Sequence, residues 1–243
     1  MISIVVPALN EEKYIGTLLN SILKQGFKEP IEIVVADAGS TDGTRDVVRS
    51  FEGKFAKVSI VEGGVPPVAR NHGARASSGD PIIFMDADVT APSITFLTTT
   101  IKHFRDHHLA VAIPLILPKS DKFIDALMFG SVNVLTRVAK YIRPLGSICV
   151  IVTREVFEKT GGYPEDRFQS EEHDFVLACL KFGAYDIVPE PLLVSVRRLN
   201  KEGRLGLALK YTYSALYRVF VGPVTKPIFA YEFKYTDKEA SGK

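Results

Sequence analysis

The stretch Ile82-Ile83-Phe84-Met85-Asp86-Ala87-Asp88-Val89 decides the fold. Four apolar residues run straight into two carboxylates spaced two residues apart. An apolar run this short, bounded by Gly79-Asp80-Pro81 and Pro92, reads as a strand buried on both faces. Two carboxylates cannot lie in such a core without partners. Asp86 and Asp88 are therefore expected at the C-terminal end of the strand, the edge at which open α/β sheets bind ligands. Carboxylate oxygens there suit a hard divalent cation, Mg2+ or Mn2+, that keeps waters and substrate phosphates as its other ligands. A strand-end turn whose aspartates cap the following backbone would use the same residues.

Working outward, the flanking chain alternates strand and helix. Ile2 to Val6, Ile31 to Ala36 and Val58 to Val61 read as further buried strands. Between them, Ile15, Leu18, Leu19, Ile22 and Leu23 share one helical face that ends at Gly26, Val47, Val48 and Phe51 share another, and Pro67 to Ser77 carries Arg70 and Asn71. Asn10 is the expected N-cap of the first helix, with Glu11 and Glu12 in its first turn. Such alternation implies a parallel sheet with right-handed crossovers. Two strand ends hold polar groups that a plain fold does not need. Asn10 and Glu11 follow the first strand. Asp37, Ser40 and Asp42, with two glycines, follow the second. Asp37 is read as a carboxylate facing a ligand, able to accept from a nucleobase N–H or a ribose hydroxyl. For Asp42 and Thr44, capping of the next helix is an equal reading. The Gly-x-Gly-x-x-Gly and Gly-x-x-x-x-Gly-Lys-Ser/Thr phosphate loops are absent.

The second half is less regular. Ile94 to His107 reads as a helix, and His103, His107 and His108 as its solvated end. Ala110 to Leu117 is an apolar strand. Asp121 to Tyr141 has helical periodicity through Phe123, Ile124, Leu127, Met128 and Val132. Gly146 to Val152 is another buried strand, followed by a short helix that closes at Gly161-Gly162-Tyr163-Pro164. Glu171, Glu172 and Asp174 then crowd the start of a helix. Complementarity to the helix dipole explains them cheaply, and a general base for a hydroxyl explains them functionally. Arg204 to Tyr235 is apolar, aromatic and basic. Leu205, Leu209, Tyr213, Leu216 and Phe220 form a helix stripe there, broken at Gly222-Pro223. Such a stripe can lie on an anionic membrane, or pack on the domain or on a second subunit as a homodimer contact. The residues after Tyr235 are expected to fray.

Composition sets the outer limits. With 243 residues, 46% of them hydrophobic and 24% charged, the chain has ample length for a core. A formal net charge of +2 is too small to argue for nucleic acid. Cys149 and Cys179 lie in apolar stretches and read as reduced core residues. Because the chain starts at once with a strand, no secretory leader is expected. No apolar run reaches the ~18 residues of a spanning helix. The expected location is cytoplasmic, or peripheral on the inner face of the cell membrane.

Four blocks now fall into one pattern. Ser3-Ile4-Val5-Val6-Pro7-Ala8-Leu9-Asn10-Glu11-Glu12, Asp37-Ala38-Gly39-Ser40-Thr41-Asp42-Gly43-Thr44, Ala69-Arg70-Asn71-His72-Gly73 and Asp86-Ala87-Asp88 resemble glycosyltransferase family 2 in order and spacing. The resemblance implies a GT-A fold: α/β, with a Rossmann-like, mixed and mostly parallel sheet flanked by helices and a C-terminal helical extension. It implies a glycosyltransferase domain over residues 1–200, with its nucleotide-binding half in 1–90 and its acceptor half in 91–200, and an extension over 201–243. The implied activity is inverting, metal-dependent transfer of a sugar from a nucleotide-diphosphate donor to a hydroxyl acceptor. UDP-sugars come first as donors and GDP-sugars second. The acceptor would be a glycan or a lipid-linked carrier.

By the same resemblance, Pro7, Ala8, Asn10, Glu11 and Ser40 line the nucleotide pocket, Asp37 holds the base, and Arg70 lies by the nucleotide or its phosphates. Asp86 faces the ribose or donor sugar, and Asp88 binds the metal beside it. Ser195-x-Arg197-Arg198 resembles a stretch through which Arg197 or Arg198 would reach the diphosphate, with Arg198 taken for the site; an exposed basic turn is an equal reading. The family's Glu-Asp pair becomes Glu171-Glu172 here, which puts Glu172 at the base position with Glu171 and Asp174 as substitutes. Two rivals stand beside this reading. In a haloacid-dehalogenase-like phosphatase, Asp86 and Asp88 would work with Ser120-Asp121-x-x-x-Asp125, but too little chain separates the two motifs. A nucleotide-sugar-binding protein without catalysis is the other.

Overall fold

The computed structural model describes residues 1–167, 169–222 and 224. The amino-terminal half runs β1 (Ile2–Ala8), α1 (Glu12–Leu23), β2 (Ile31–Asp37), α2 (Thr44–Arg49), β3 (Lys57–Glu62), α3 (Pro66–Ala76) and β4 (Ile82–Met85). It continues through β5 (Val89–Thr90), α4 (Phe96–Asp106), β6 (Leu109–Pro118), α5 (Phe123–Ala139), β7 (Cys149–Val152), α6 (Arg154–Thr160), α7 (Glu171–Cys179), β8 (Ala184–Val194), α8 (Arg197–Glu202) and α9 (Arg204–Phe220). The strands form one sheet in the order β3-β2-β1-β4-β7-β6-β8-β5. The first four are mutually parallel, as the alternation predicts. Antiparallel pairs enter at β4–β7, β7–β6 and β8–β5, so the sheet is mixed.

One connection shapes the whole sheet. β4 ends at Met85 and β5 starts at Val89, a stretch that reaches at most about 14 Å when fully extended. Laid flat, β4 and β5 would stand four strand spacings apart, about 19 Å. The sheet therefore curls until its β8–β5 edge approaches the C-terminal end of β4. Asp86 and Asp88 occupy the link that closes this curl.

Helices cover both faces of the central strands, so β1 and β2 read as continuous apolar runs. Ile2, Ile4 and Val6 of β1 pack with Ile15, Leu18, Leu19 and Ile22 of α1 and with Phe96, Leu97, Ile101 and Phe104 of α4. Val5 points the other way, into a cluster with Phe84, Phe157, Tyr163 and Phe175. Phe84 is the hub of that cluster, with ring centroids 5.0 Å from Tyr163, 5.9 Å from Phe157 and 6.1 Å from Phe175. A Cβ on Gly73 would lie 2.4 Å from Val5 Cγ1, so only glycine lets α3 settle on β1.

Several boundaries and faces differ from the sequence reading. α1 ends at Leu23, which is 41% exposed, and not at Gly26. Ile94 lies outside α4 and is exposed. His103 does not merely end a helix in solvent, because its Nε2 approaches Asp186 Oδ2 at 3.3 Å. The largest difference is α5. Phe123, Ile124, Leu127, Met128 and Val132 set its predicted periodicity, yet Met128 is half-buried and the other four are exposed. Asp125, Asn133 and Thr136 are the buried residues of that helix. They have partners that an apolar side chain could not serve. Asp125 receives Arg204 Nε at 2.6 Å and Nη2 at 2.9 Å, and Asn133 bonds both backbone groups of Ile116. In α9 the stripe residues Leu205, Leu209, Tyr213 and Phe220 likewise face outward, while Leu207 and Ser214 are buried. The side chain of Leu216, the expected break at Pro223 and the expected fraying after Tyr235 lie outside the described residues.

Candidate active site

The C-terminal ends of β1, β2 and β4 face the loops that precede α7 and α8, and their polar residues join into one rim. It begins at β2. Asp37 is 2% exposed, and its Oδ2 accepts from the N–H groups of Gly39 at 3.3 Å and Ser40 at 3.1 Å and from Arg45 Nε at 2.6 Å. Beside it, Ala38, Gly39, Arg45, Arg49, Glu62, Gly63 and Gly64 line a cleft of about 580 Å³.

The β1 turn is locked to the β2 turn by reciprocal hydrogen bonds. Asn10 N–H donates to Ser40 Oγ at 2.9 Å, and Asn10 Oδ1 accepts from Thr41 N–H at 2.9 Å. Asn10 adopts φ 55° and is not the N-cap of α1. The orphan N–H groups of that helix start are satisfied from the other turn: Glu11 N–H donates to Thr44 Oγ1 at 2.8 Å and Glu12 N–H to Asp42 Oδ2 at 3.1 Å. Glu12 returns the favour by accepting from Gly43 N–H at 3.1 Å. Asp42 also accepts from Thr44 N–H at 3.0 Å, in the first turn of α2, whereas Thr44 serves the start of α1 and not, as expected, that of the helix it opens. Ala8 completes the lock, its carbonyl accepting from Ala38 N–H at 2.8 Å; Pro7 precedes it in the strand.

Two arginines gather the remaining carboxylates. Arg70, on α3, is 3% exposed. Its Nη1 lies 2.7 Å from Glu171 Oε1, and its Nη2 lies 2.8 Å from Asp86 Oδ1 and 3.5 Å from Glu172 Oε1. The Tyr163 ring stands 5.4 Å from its guanidinium carbon. Although burial disfavours its charge, these three carboxylates hold the guanidinium firmly protonated. Arg197, at the start of α8, grips Glu11 with Nη1 at 2.8 Å and Nη2 at 2.6 Å, and its Nε lies 3.0 Å from Asp88 Oδ2.

The carboxyl groups respond to these settings. Glu172 is pushed up to about 8, first by burial and then by the Glu171 carboxylate, against the pull of Arg70. Glu11 and Asp88 are also raised by burial, and Arg197 opposes the shift in both. Even with Glu172 protonated, four carboxylates face two guanidinium groups. That negative excess, made of hard oxygen donors at a strand end, fits a divalent cation. Among the described residues no group of three or more His, Cys, Asp and Glu side chains could hold a metal unaided. Asp88 and Asp86 would therefore supply the protein's share, with waters and phosphate oxygens as the rest.

Gly146 fixes the position of Glu172. A Cβ there would come within 2.3 Å of the Glu172 carbonyl carbon. Asn71 steadies the neighbouring wall, its Nδ2 donating to the Tyr163 carbonyl at 2.9 Å and its Oδ1 accepting from Tyr163 N–H at 2.8 Å. The rim thus brings together Ala8, Asn10, Glu11, Asp37, Ser40, Arg70, Asp86, Asp88, Glu171 and Glu172. Two expected residues turn elsewhere. Asp174 is taken by Arg167 Nε at 3.0 Å and by Arg218. Arg198 pairs with Glu202 at 2.7 Å, so Arg197, its neighbour in the Arg-Arg pair, is the arginine at the carboxylates. Gly146 and Tyr163 escaped the sequence reading as site residues. The only hint was a glycine opening one predicted buried strand and a Gly-Gly turn before the tyrosine.

Comparison with known proteins agrees with this geometry. Over 90 residues, 35% of this chain, it is 42% identical to the poly(ribitol-phosphate) beta-N-acetylglucosaminyltransferase TarS of Staphylococcus aureus. A poly(ribitol-phosphate) beta-glucosyltransferase of Bacillus spizizenii is 35% identical over 92 residues, 36% of this chain. The matched stretches are only 16% and 14% of those relatives' lengths. Among solved structures, S. aureus TarS 1–349 in complex with UDP aligns with a TM-score of 0.66 at 25% identity, covering 80% of this chain and 60% of that one. The mannosyltransferase PcManGT of Pyrobaculum calidifontis, in complex with GDP-Man and Mn2+, aligns with a TM-score of 0.69 at 23% identity, covering 88% and 60%. The fold is GT-A, and the phosphatase reading falls with it: Asp125, required by that rival, is a buried partner of Arg204 and Ser120. The family model described as "Glycosyl transferase family 2" matches residues 3–128, more than half of the sequence, and the chain belongs to that family.

Proposed function

We propose that the chain catalyses inverting transfer of a sugar from a nucleotide-diphosphate donor to a hydroxyl acceptor, with a divalent cation at Asp88 and Asp86. The observation that carries this reading is the convergence of Glu11, Asp86, Asp88, Glu171 and Glu172 around Arg70 and Arg197. A UDP-sugar is the favoured donor, supported by the TarS likeness and its UDP complex; a GDP-sugar is the alternative. The base would lie in the cleft by Asp37, between the β2 and β3 ends, with Pro7, Ala8, Asn10 and Ser40 along the nucleotide. When bound, the cation (Mg2+ or Mn2+) offsets the charge that builds on the departing diphosphate.

The side chains do the rest. Glu172, in its ionised form, accepts the proton of the acceptor hydroxyl. The freed oxygen attacks the anomeric carbon from the side opposite the diphosphate, which inverts that centre. Arg70 holds Asp86 and Glu171 in place and tempers the repulsion among the carboxylates. Glu171 acts through Arg70 and not on the substrate.

The acceptor is proposed to be a glycan or a lipid-linked carrier. No helix among the described residues is long and apolar enough to cross a membrane. The outward apolar faces of α5 and α9, with exposed Lys119, Lys122, Arg137 and Arg143 around α5, support peripheral contact with an anionic inner membrane surface. The test of the reading is Asp88→Asn, assayed for UDP release from UDP-sugars with an acceptor panel. Loss of Mn2+-dependent turnover supports it. Unchanged turnover that needs no divalent cation overturns it.

A further inference from the structure

Arg197 stands where a cation is wanted. Its guanidinium bridges the turn after β1, through both oxygens of Glu11, and the turn after β4, through Asp88 Oδ2 at 3.0 Å. The Tyr14 ring lies 4.4 Å from its guanidinium carbon and adds a cation–π contact. The backbone fastens the arrangement. Ser195 N–H donates to the Asp88 carbonyl at 3.2 Å, and Ser195 Oγ accepts from Arg197 N–H at 3.2 Å. The side chains of Glu11 and Asp88 are 10% and 18% exposed, so little water screens them. A divalent cation on Asp88 would sit a few ångström from this guanidinium, and two cations on one shielded carboxylate repel strongly. A nucleotide diphosphate changes the balance, because its oxygens can accept the planar fork of an arginine bidentately.

We propose that Arg197 is a placeholder cation: it holds Asp88 and Glu11 in the nucleotide-free protein, and it leaves Asp88 for the diphosphate when the nucleotide and the divalent cation bind together. The cation then binds poorly alone and well with nucleotide, so the charged site is never left without a counter-ion. This inference rests on the assignment of Asp88 to the cation.

The test is Mn2+ binding to the full chain, followed by titration calorimetry with and without saturating UDP. For the wild type, UDP is expected to tighten Mn2+ at least tenfold. Arg197→Gln is expected to bind Mn2+ alone at least tenfold tighter than wild type, and to gain much less from UDP. Arg197→Lys keeps one charge but cannot span both carboxylates, so its Mn2+ affinity should fall between the two; it also keeps the test readable should the Gln variant not fold. If neither variant binds Mn2+ alone more tightly than wild type, the placeholder role is wrong. Asp88→Asn separates this failure from failure of the site itself. If that variant keeps wild-type Mn2+ affinity in the presence of UDP, the cation is not on Asp88 at all.

Discussion

α1 and α5 carry similar apolar periodicities and bury opposite faces. In α1, Ile15, Leu18, Leu19 and Ile22 are buried against the sheet. In α5, Phe123, Leu127, Val134 and Leu135 are exposed, while Asp125, Asn133 and Thr136 turn inward. The contrast teaches that periodicity reports a helix but not which face meets the core. That choice belongs to the neighbours. α1 meets an apolar sheet face, whereas α5 meets the Arg204 guanidinium and the open backbone groups of Ile116.

The same contrast separates a site that must be rigid from a layer that need not be. The largest effect is expected at Glu172. Glu172→Gln should lower kcat by ~10²- to 10⁴-fold with UDP affinity largely kept, as measured by steady-state kinetics and calorimetry. For the wild type, kcat/KM should climb as pH rises through about 8, because the half-buried carboxyl must lose its proton before it can accept one. The variant should lack that step, and a variant as active as wild type would mean that the acceptor attacks without a base.

Next come paired deletions in the two helices, compared by chemical denaturation. Leu18→Ala should cost about 2–5 kcal/mol, as for a fully buried leucine. Leu127→Ala, at a site 54% exposed, should stay within about 0.5 kcal/mol. Equal costs would break the comparison and place Leu127 in a packed interface.

Gly146→Ala should cost stability as well as catalysis, about 1–3 kcal/mol by chemical denaturation, because the clash is with Glu172 backbone. The new methyl must push Glu172 aside, and roughly a tenfold fall in kcat with little change in donor KM is expected. An unchanged kcat would remove Glu172 from the reacting centre.

The smallest effect compares two carboxylates in acid. Burial alone would raise Glu32, but hydrogen bonds from Lys57, Ser3 and Ser78 hold it down to about 2. The Arg204 fork, then Ser120, hold Asp125 down to about 2. Both groups fall below their ordinary values, so each stabilises the fold when ionised. That stability is fully present above about pH 4.5 and is lost as pH falls toward about 2. Thermal scans over this range should show a shallower acid loss for Glu32→Gln than for wild type. Asp125→Asn should change the slope less, since an aspartate ordinarily titrates closer to 2 than a glutamate does and is displaced less on folding.

Much of the amino-terminal half was legible because its signals are local. A buried strand needs only a short apolar run, and Asp-x-Asp after such a run must emerge at a sheet end. The four motif blocks therefore fixed the family and most of the rim. What failed were assignments that depend on partners far along the chain. Asn10 has the chemistry of an N-cap, but Ser40 and Thr41 claim it, and Asp42 and Thr44 cap α1 in its place. Arg197 and Arg198 are alike in sequence, and only the course of β8 into α8 decides which one points at Asp88. Nothing local could show that a methyl on Gly146 would strike Glu172.

The sequence by itself determined the alternation of strands and helices, the family, and the carboxylates that would need partners, because burial and backbone chemistry act over a few residues. The tertiary structure alone decided the curl that brings β5 beside β4, the arginine that meets each carboxylate and the face that α5 shows to solvent. Those outcomes depend on groups that lie tens of residues apart in the chain and become neighbours only when the sheet closes.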